Sequence, residues 1–223
     1  MYEQTGAFVS TCVSPSAKHV EMPALDIIQV QKAYDSWSET YDEDNNKAGY
    51  NGPRVGAEKL LELLPGEGSK ILDCPCGTGQ AAREVKKLDI NKTITGVDIS
   101  EKSLALAKRT GLFDSLHKCD IMKDRLPFDD DTFDAILCVG GFIRSHLNQD
   151  VFPEFHRVVK PGGVIVIVMR EQYLYTAPEF RGGRLDCAIV QGVEDGKFDY
   201  LYRQQFPRHI QDHEGVAFAI RVK

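Results

Sequence analysis

Short apolar runs alternate with amphipathic stretches between residues 68 and 170. The apolar runs have the length of strands, whereas the stretches between them repeat apolar residues every three or four positions, as helices do. These patterns predict strands at 71–72, 94–97, 116–119, 133–139 and 164–169, and helices at 81–88, 101–109 and about 150–159. Strands that alternate with helices are typical of a parallel sheet with right-handed crossovers.

After residue 170 the alternation ends. A loop leads to a predicted helix at 185–193, and strands follow at 200–206 and 216–222. The last two strands can pair as an antiparallel, hairpin-like unit at the sheet edge. The predicted fold class is therefore α/β: a doubly wound, mostly parallel, Rossmann-like sheet with an antiparallel C-terminal edge strand.

The N-terminal region has a different pattern. Residues 1–24 are polar, lack periodicity and contain two prolines, so we predict a flexible tail. Apolar residues at helical steps then predict a helix over 26–41, followed by an acidic loop over 42–52, and Pro53 suits the first turn of the next helix. Residues 25–223 would form a single domain. Within it, 26–64 form either a helical lid over a ligand or the cover of an apolar patch.

Charge and composition exclude several classes of protein. The chain has 27 Lys and Arg against 33 Asp and Glu, a net charge of −6, which leaves no broad basic face for nucleic acid. No apolar run reaches the roughly 18 residues of a membrane span, and the N-terminus lacks the features of a signal peptide. Six cysteines without metal-finger spacing are typical of reduced thiols. We therefore expect a cytoplasmic protein without a nucleic-acid or membrane partner, and favour a monomer.

The candidate chemistry begins where the first predicted strand ends, at the sequence Asp-Cys-Pro-Cys-Gly-Thr-Gly of residues 73–79. In a doubly wound sheet ligands bind outside the carboxyl ends of the strands, and glycines let the backbone approach them closely. Asp98 ends the second strand, where its carboxylate can accept both hydroxyls of a ribose. Asp120 ends the third strand, where it can accept from an adenine amino group. Three acids at successive strand ends predict a nucleoside-shaped site.

A nicotinamide or flavin dinucleotide is the main alternative ligand. Gly77, Gly79 and Ala82, with an acid about 20 residues on, satisfy the dinucleotide fingerprint. That fingerprint is weak by itself, and a pyrophosphate would gain from a cationic side chain, which the loop lacks before Arg83. A sulfonium-bearing amino acid instead carries an ammonium, which Asp73 can attract directly or through water. The loop thus favours a methyl donor.

Four motifs together resemble those of class I S-adenosylmethionine-dependent methyltransferases: Leu72-Asp73-x-x-Cys76-Gly77-Thr78-Gly79, Gly96-Val97-Asp98-Ile99-Ser100, Phe133-Asp134-Ala135 and Val159-Lys160-Pro161-Gly162-Gly163. Upstream, the chain is similar more narrowly to the methyltransferase-like family of the Williams–Beuren syndrome critical region, through Tyr34-Asp35-x-Trp37, Tyr41-Asp42 and Pro53-Arg54. The resemblance covers about residues 30–171. It implies S-adenosylmethionine as the cofactor, and the compact chain favours a small-molecule acceptor.

The resemblance also implies roles for individual residues. Asp98 would hold the ribose, and Asp120 and Ile121 the adenine. The two glycines of the loop shape the methionine pocket, over which Tyr41 and Arg54 close. No residue is assigned as catalytic or as a metal ligand. The full set of expected cofactor-binding residues is Tyr41, Arg54, Asp73, Cys76, Gly77, Gly79, Asp98, Ile99, Asp120, Ile121 and Cys138.

Some features allow two interpretations. Four cysteines at positions 74, 76, 119 and 138 fall near strand ends around the expected pocket, either as small buried hydrophobes or as soft metal ligands. Arg144 and His146 lie where acceptors bind in this fold, and can equally anchor a loop. The expected function is methyl transfer from S-adenosylmethionine to a small molecule. A non-catalytic scaffold that binds this cofactor and an NAD-dependent oxidoreductase are the alternatives.

Overall fold

Strands and helices alternate along the chain as its hydrophobic pattern predicts. The computed structural model describes residues 29, 32, 35–64, 66 and 68–223. Over these residues the strands are β1 (Lys70–Asp73), β2 (Thr93–Asp98), β3 (Ser115–Lys118), β4 (Phe133–Val139), β5 (Val159–Arg170), β6 (Phe198–Ile210) and β7 (His213–Val222). The helices are α1 (Tyr41–Lys47), α2 (Gly52–Leu63), α3 (Gln80–Leu88), α4 (Glu101–Arg109), α5 (Phe152–Val158), α6 (Tyr173–Thr176) and α7 (Arg184–Glu194), with a 3-10 turn at Gln149–Val151.

The strands form a single sheet in the order β3-β2-β1-β4-β5-β7-β6. β1 pairs in parallel with β2 and β4, and β4 pairs in parallel with β5. β7 runs antiparallel to β5 and β6, so the last strand lies inside the sheet and leaves β6 at the edge. The predicted α/β class, with its mostly parallel sheet and antiparallel C-terminal strands, is confirmed. The strand order reverses between β1 and β4, which is where doubly wound sheets bind ligands.

Alternate residues of the strands pack into two cores, one on each face of the sheet. Along β5, Val164 and Val166 belong to the core that includes Leu60 of α2. Ile165 belongs instead to the core that includes Phe155 of α5. Helices therefore cover both faces, and the carboxyl ends of the central strands emerge between the two layers.

Local signals fix the starts of two helices at the predicted places. The Ser100 side chain caps α4 by accepting a hydrogen bond from the Ser103 backbone N–H at 3.1 Å. Glu101 lies in the first turn of that helix, near the positive end of its dipole. α2 carries Pro53 in its first turn, as its sequence predicts.

The N-terminal region differs from the prediction. The predicted tail and residues 26–28, 30, 31, 33 and 34 of the predicted helix lie outside the described residues. Residues 35–37 are helical, but 38–40 form a turn, and α1 occupies much of the predicted acidic loop. That loop prediction is wrong because the three acids at 42–44 occupy the first turn of a helix, where carboxylates are stabilised by the helix dipole. Asp44 also accepts hydrogen bonds from Trp37 Nε1 at 2.7 Å and Thr40 Oγ1 at 2.9 Å, which tie the turn to α1.

Candidate functional site

A cleft of about 770 Å³ opens above the carboxyl ends of β1, β2 and β4. Its lining comes from the loop after β1, the end of β2, the loop after β4 and the N-terminal region. A smaller cavity of about 450 Å³ adjoins it. Pro75, Asp98, Ile99 and His146 line both spaces. A cleft at the reversal of strand order is where doubly wound sheets bind small-molecule ligands.

The loop of residues 74–79, here called the glycine loop, is held in place by backbone hydrogen bonds, one of them to β2. The N–H of Cys76 donates to the Val97 carbonyl and that of Gly79 to the Cys76 carbonyl, both at 2.9 Å. Gly79 has a φ of +94°, and a Cβ atom there would lie 2.9 Å from the ring of Phe113. Glycine is therefore required at this position, where the chain turns directly from β1 into α3.

Asp98 links the end of β2 to the glycine loop. Its side chain is 9% exposed, and it accepts hydrogen bonds from the Gly77 N–H at 2.8 Å and the Ser100 N–H at 2.9 Å. Burial raises the pKa of this carboxyl, and the backbone N–H groups of Ser100, Gly77 and Ile99 oppose the rise. A carboxylate has about four acceptor positions, so the three amides still leave room for a ligand hydroxyl.

Asp73 lies beneath the glycine loop rather than in the cleft lining. The side chain is 1% exposed, and neither of its oxygens accepts a hydrogen bond from the part of the chain that the structure describes. Burial raises its pKa well above the ordinary value. A cation that binds beside this acid would lower that pKa and favour the charged carboxylate, which then attracts the cation.

Asp120 and Ile121 line the smaller cavity, together with Asp98 and Ile99. Asp120 accepts a hydrogen bond from the Met122 N–H at 3.2 Å, and Lys123 Nζ lies 3.5 Å from its other oxygen. The smaller cavity thus combines apolar walls with an acid that is available to a donor group, which suits a purine ring.

Residues 35–52, here called the strap, cross the cleft and are held at both sides by carboxylates. Asp35 accepts from Ser100 Oγ at 2.5 Å, at the start of α4. Asp42 accepts from Thr78 Oγ1 at 2.5 Å and Gln80 Nε2 at 2.9 Å, at the start of α3, and pairs with Arg83 at 3.2 Å. Because α3 and α4 follow β1 and β2, these contacts hold the strap over the carboxyl ends of both strands.

The far end of the strap packs against the β6–β7 hairpin. The Asn51 N–H donates to the His209 carbonyl at 2.8 Å, and the Gln211 N–H donates to the Ala48 carbonyl at 3.0 Å. The Tyr50 ring meets the His209 ring edge to face, with centroids 5.1 Å apart. Tyr50 reaches the cleft at Gly140, whose φ is +68° and where a Cβ atom would lie 2.8 Å from the tyrosine hydroxyl oxygen.

The loop after β4, residues 140–149, is here called the β4 loop. Its residues Gly140 and His146 line the larger cleft. His146 Nδ1 lies 2.8 Å from the Arg144 carbonyl oxygen. Ser145 has a φ of +64°, uncommon outside glycine, and its N–H donates to Glu179 Oε1 at 3.0 Å. Burial lowers the pKa of His146 to about 4, and the Arg144 carbonyl and the charge of Glu179 oppose this.

The structure brings most of the expected cofactor-binding residues together. Tyr41, Cys76, Gly77, Asp98 and Ile99 line the larger cleft, and Asp120 and Ile121 line the smaller cavity with the last two. Burial raises the pKa of Tyr41 to about 12, and its ring contacts Trp37 with centroids 4.5 Å apart.

Four expected residues lie outside both linings: Arg54, Asp73, Gly79 and Cys138. Arg54 is half exposed and pairs with Glu58 Oε1 at 2.5 Å. Its role at the methionine end stays a prediction. Cys138 is fully buried in the core next to β1, Asp73 ends β1 directly before the glycine loop, and Gly79 ends that loop at the start of α3.

Sequence reasoning missed Tyr50, Thr78 and Gln80 as site residues. Thr78 and Gln80 flank the second glycine of the loop, so their proximity to a ligand follows from the motif. No local sequence pattern indicates Tyr50. Its position over Gly140 depends on its contact with His209, which is distant in the sequence.

The cysteines around the site are free thiols. Cys74 and Cys119 line the smaller cavity, and burial raises the pKa of both. Over the described ranges, 35–64 and 68–223 among them, no group of three or more His, Cys, Asp or Glu side chains could hold a metal ion. The cysteines here act as small apolar residues.

Comparison with known proteins agrees with this geometry. Residues 72–167 match the family described as "Methyltransferase domain". Residues 72–167 form a methyltransferase domain. The resemblance read from its motifs is confirmed, and S-adenosylmethionine is the cofactor of this domain. The match begins at the end of β1 and ends within β5, so it includes both Asp98 and Asp120.

Individual relatives support the same class. The human "Methyltransferase-like protein 27" is 35% identical over 147 residues, which are 65% of this chain and 59% of that protein. The "Demethylmenaquinone methyltransferase" of Staphylococcus epidermidis is 29% identical over 147 residues, or 65% of this chain and 61% of its own length. The chain thus spans about three fifths of the length of these curated relatives.

A solved structure shows the same fold. The 1,6-didemethyltoxoflavin-N1-methyltransferase of Burkholderia thailandensis, with its substrate and S-adenosylhomocysteine bound, superimposes with a TM-score of 0.61 at 18% identity. The match covers 92% of this chain and 93% of that one. The comparisons do not support the dinucleotide oxidoreductase or the non-catalytic scaffold. Within the described residues, no helix combines the length and apolar character needed to span a bilayer.

Proposed function

We propose that this protein transfers a methyl group from S-adenosylmethionine to a small-molecule acceptor. The observation that carries the proposal is the position of Asp98. Its carboxylate joins the end of β2 to the glycine loop, at the reversal of strand order, and keeps room for a ribose hydroxyl.

The residues around Asp98 fit the rest of the donor. Asp120 and Ile121 border the smaller cavity, which would take the adenine. Cys76 and Gly77 border the larger cleft, where the methionine part would lie with Tyr41 at one side. Asp73, buried beneath this loop, would favour the ammonium through its charge. The donor supplies an activated methyl group, so the protein contributes chiefly by holding donor and acceptor in line.

A small-molecule acceptor is supported by the cleft and by the relatives. The Staphylococcus relative is named for a quinone precursor, and the Burkholderia enzyme was solved with a small heterocycle. The strap contributes Ser38, Tyr41 and Tyr50 to the lining of the cleft, so a ligand there lies in a concave site rather than on a broad open surface of the kind a macromolecule would need. A macromolecular acceptor would have to insert a side chain beneath the strap.

The strap serves as a lid in this proposal. Its two carboxylates, Asp35 and Asp42, bind the starts of the helices that follow β1 and β2. Closure there excludes water from the donor and leaves the side of the β4 loop for the acceptor. The prediction that 26–64 form a lid within one domain of 25–223 accordingly remains part of the proposal.

Free thiols support a reducing compartment, because Cys74, Cys76, Cys119, Cys138 and Cys187 all lack a disulfide. We therefore place the protein in the cytoplasm. Cell fractionation with an antibody to the native chain tests this placement, and an extracellular location would contradict it.

Calorimetric titration tests the donor site. S-adenosylmethionine and S-adenosylhomocysteine should both bind and should raise the melting temperature in proportion to saturation. NAD, which shares the adenosine part, is the matched control and should bind more weakly than either. Tighter binding of NAD, or no binding of the sulfur nucleosides, would refute the proposed function.

A further inference from the structure

His146 occupies the junction of the two cavities. It lines the larger cleft and the smaller cavity, as do Pro75 and Asp98. It comes from the β4 loop, whereas the expected donor residues follow β1, β2 and β3. With the methionine part of the donor in the larger cleft and the adenine in the smaller cavity, the imidazole would lie at the junction of the two, near the sulfonium.

The hydrogen bond at Nδ1 determines the tautomer of His146. The Arg144 carbonyl, 2.8 Å away, can only accept, so Nδ1 carries the proton. Nε2 of the neutral ring then carries the lone pair. Burial holds the pKa of the ring at about 4, so the ring is neutral at physiological pH even with Glu179 nearby. The imidazole therefore presents a proton acceptor, not a positive charge.

Tyr50 adds a second neutral polar group to the same cleft. Burial raises the pKa of its phenol well above 10, so it keeps its proton. Pro53 and Val139 make the neighbouring lining apolar, and no Lys or Arg side chain is among the described residues that line the cleft. Asp98 supplies a carboxylate there, and it is occupied with the glycine loop and the donor. The acceptor side of the cleft is thus suited to an uncharged molecule.

We propose that the methyl acceptor is an uncharged molecule with a reactive hydroxyl group, and that His146 Nε2 takes the proton of that hydroxyl. This inference rests on the proposed methyltransferase function. A lone pair of the hydroxyl oxygen forms the new C–O bond as the C–S bond breaks, and the sulfur keeps the electron pair of that bond. The proton of the hydroxyl moves to Nε2, and the resulting imidazolium releases it to water after the product leaves.

The weak basicity of His146 favours a hydroxyl over an amine. A hydroxyl becomes a strong acid as the methyl group bonds to its oxygen, so even a weakly basic imidazole can accept its proton. A methylated amine is a stronger base than this imidazole and would keep its proton. His146 would therefore contribute little to amine methylation.

Three naphthalene derivatives of matched shape provide the probes. Protein saturated with S-adenosylhomocysteine should bind 2-naphthol at least about tenfold more tightly than 2-naphthoate, because burying the carboxylate without a cation is unfavourable. Wild-type protein with tritiated S-adenosylmethionine should methylate 2-naphthol faster than 2-naphthylamine. Equal or tighter binding of 2-naphthoate, faster methylation of the amine, or no methylation of 2-naphthol by protein that binds the donor would overturn the proposal.

His146→Gln tests the proton transfer. Glutamine keeps a hydrogen-bond acceptor but cannot take a proton at neutral pH. The variant should lose about 100-fold or more in kcat for 2-naphthol, with KM and the donor Kd changed less than about threefold. His156→Gln is the control, because His156 packs on Phe198, 5.5 Å between ring centroids, and lines neither cavity. An unchanged kcat in His146→Gln would overturn the role of His146.

Nitrogen NMR measures the protonation state and tautomer of the histidine rings directly. It requires neither catalytic turnover nor a substitution in the cleft. At pH 7.5 the His146 ring of the wild-type protein should be neutral with its proton on Nδ1. A proton on Nε2, or a charged ring, would refute the proposal. Absence of S-adenosylmethionine binding would refute the proposed methyltransferase function. Normal donor binding with any of the contrary results above would refute only the role of His146 and the hydroxyl acceptor.

Discussion

The glycine loop and the β4 loop line the same cleft as two neighbouring walls, yet they are stabilised differently. In the glycine loop, backbone N–H groups meet nearby acceptors, such as Gly77 with Asp98. In and beside the β4 loop, Arg144 Nε, Ser145 Oγ, Gln149 Oε1 and Glu179 Oε2 are buried without hydrogen-bond partners among the described residues. Beside the glycine loop the same is true of the two oxygens of Asp73, so the region of the β4 loop differs in having several such side chains rather than one.

The same difference explains why the donor wall, formed by the glycine loop and the strand ends beside it, could be predicted from the sequence and the β4 loop could not. The residues of the donor wall lie in short sequence motifs, so the sequence alone predicts its glycines and acids. Strands are predicted equally well from local pattern, and the predicted bounds of β4 are those observed. The other wall depends on distant partners: Glu179 fixes Ser145 from 34 positions away. The helix α1 was missed for a similar reason, since its acids resemble a loop until their contacts with Thr78 and Arg83 are known.

The largest expected effect is that of acid on stability, and it arises behind the strap, outside both walls. Burial raises the pKa of Asp98 but lowers the pKa of His209, behind Tyr50, to about 3. Below pH 6.5 the unfolded chain then binds more protons at His209 than the folded chain, so stability falls as the pH falls. Between pH 7 and 4.5 the free energy of unfolding should fall by about 2–3 kcal/mol more in the wild-type protein than in His209→Gln. Urea unfolding at both pH values measures this. An identical pH dependence in wild type and variant would show that His209 is not buried in its neutral form.

Asp98→Ala addresses the donor wall. It should weaken S-adenosylmethionine binding by about 1.5–3 kcal/mol, roughly 10- to 150-fold, because hydrogen bonds to a charged group are lost. It should also lower the free energy of unfolding by about 1–3 kcal/mol, since the Gly77 and Ser100 amides lose their acceptor. Calorimetry and urea unfolding measure the two effects. Asp129→Ala, in an exposed turn, is the control, and a normal donor affinity in Asp98→Ala would make Asp98 a structural residue only.

Glu179→Ala addresses the β4 loop. Without the acceptor for the Ser145 N–H, the loop should lose the position of His146 and lower kcat for 2-naphthol about tenfold, while the donor Kd changes less than about twofold. Steady-state kinetics and donor titration on the same samples give both numbers. Glu194→Ala, at the exposed end of α7, should match wild type. A loss of donor affinity as large as the loss of kcat would mean that the two walls are not independent.

Asp42→Ala should have the smallest effect. It removes the strap contacts with Thr78, Gln80 and Arg83, which are partly exposed, so we expect donor affinity to fall only about three- to fivefold. Hydrogen exchange in residues 35–52 should become faster in the donor complex. Glu43→Ala removes the neighbouring exposed acid, which pairs with Lys47, and serves as the control. Unchanged exchange in Asp42→Ala would leave the strap a packing role alone.

The contact between the strap and the β6–β7 hairpin has a consequence for biosynthesis. Ala48 and Asn51 leave the ribosome about 160 residues before their partners Gln211 and His209. The glycine loop, β2 and the β4 loop are all synthesised in between. A nascent chain can therefore assemble its donor wall while the entrance is still open, and the strap reaches its final position only when the last two strands join the sheet.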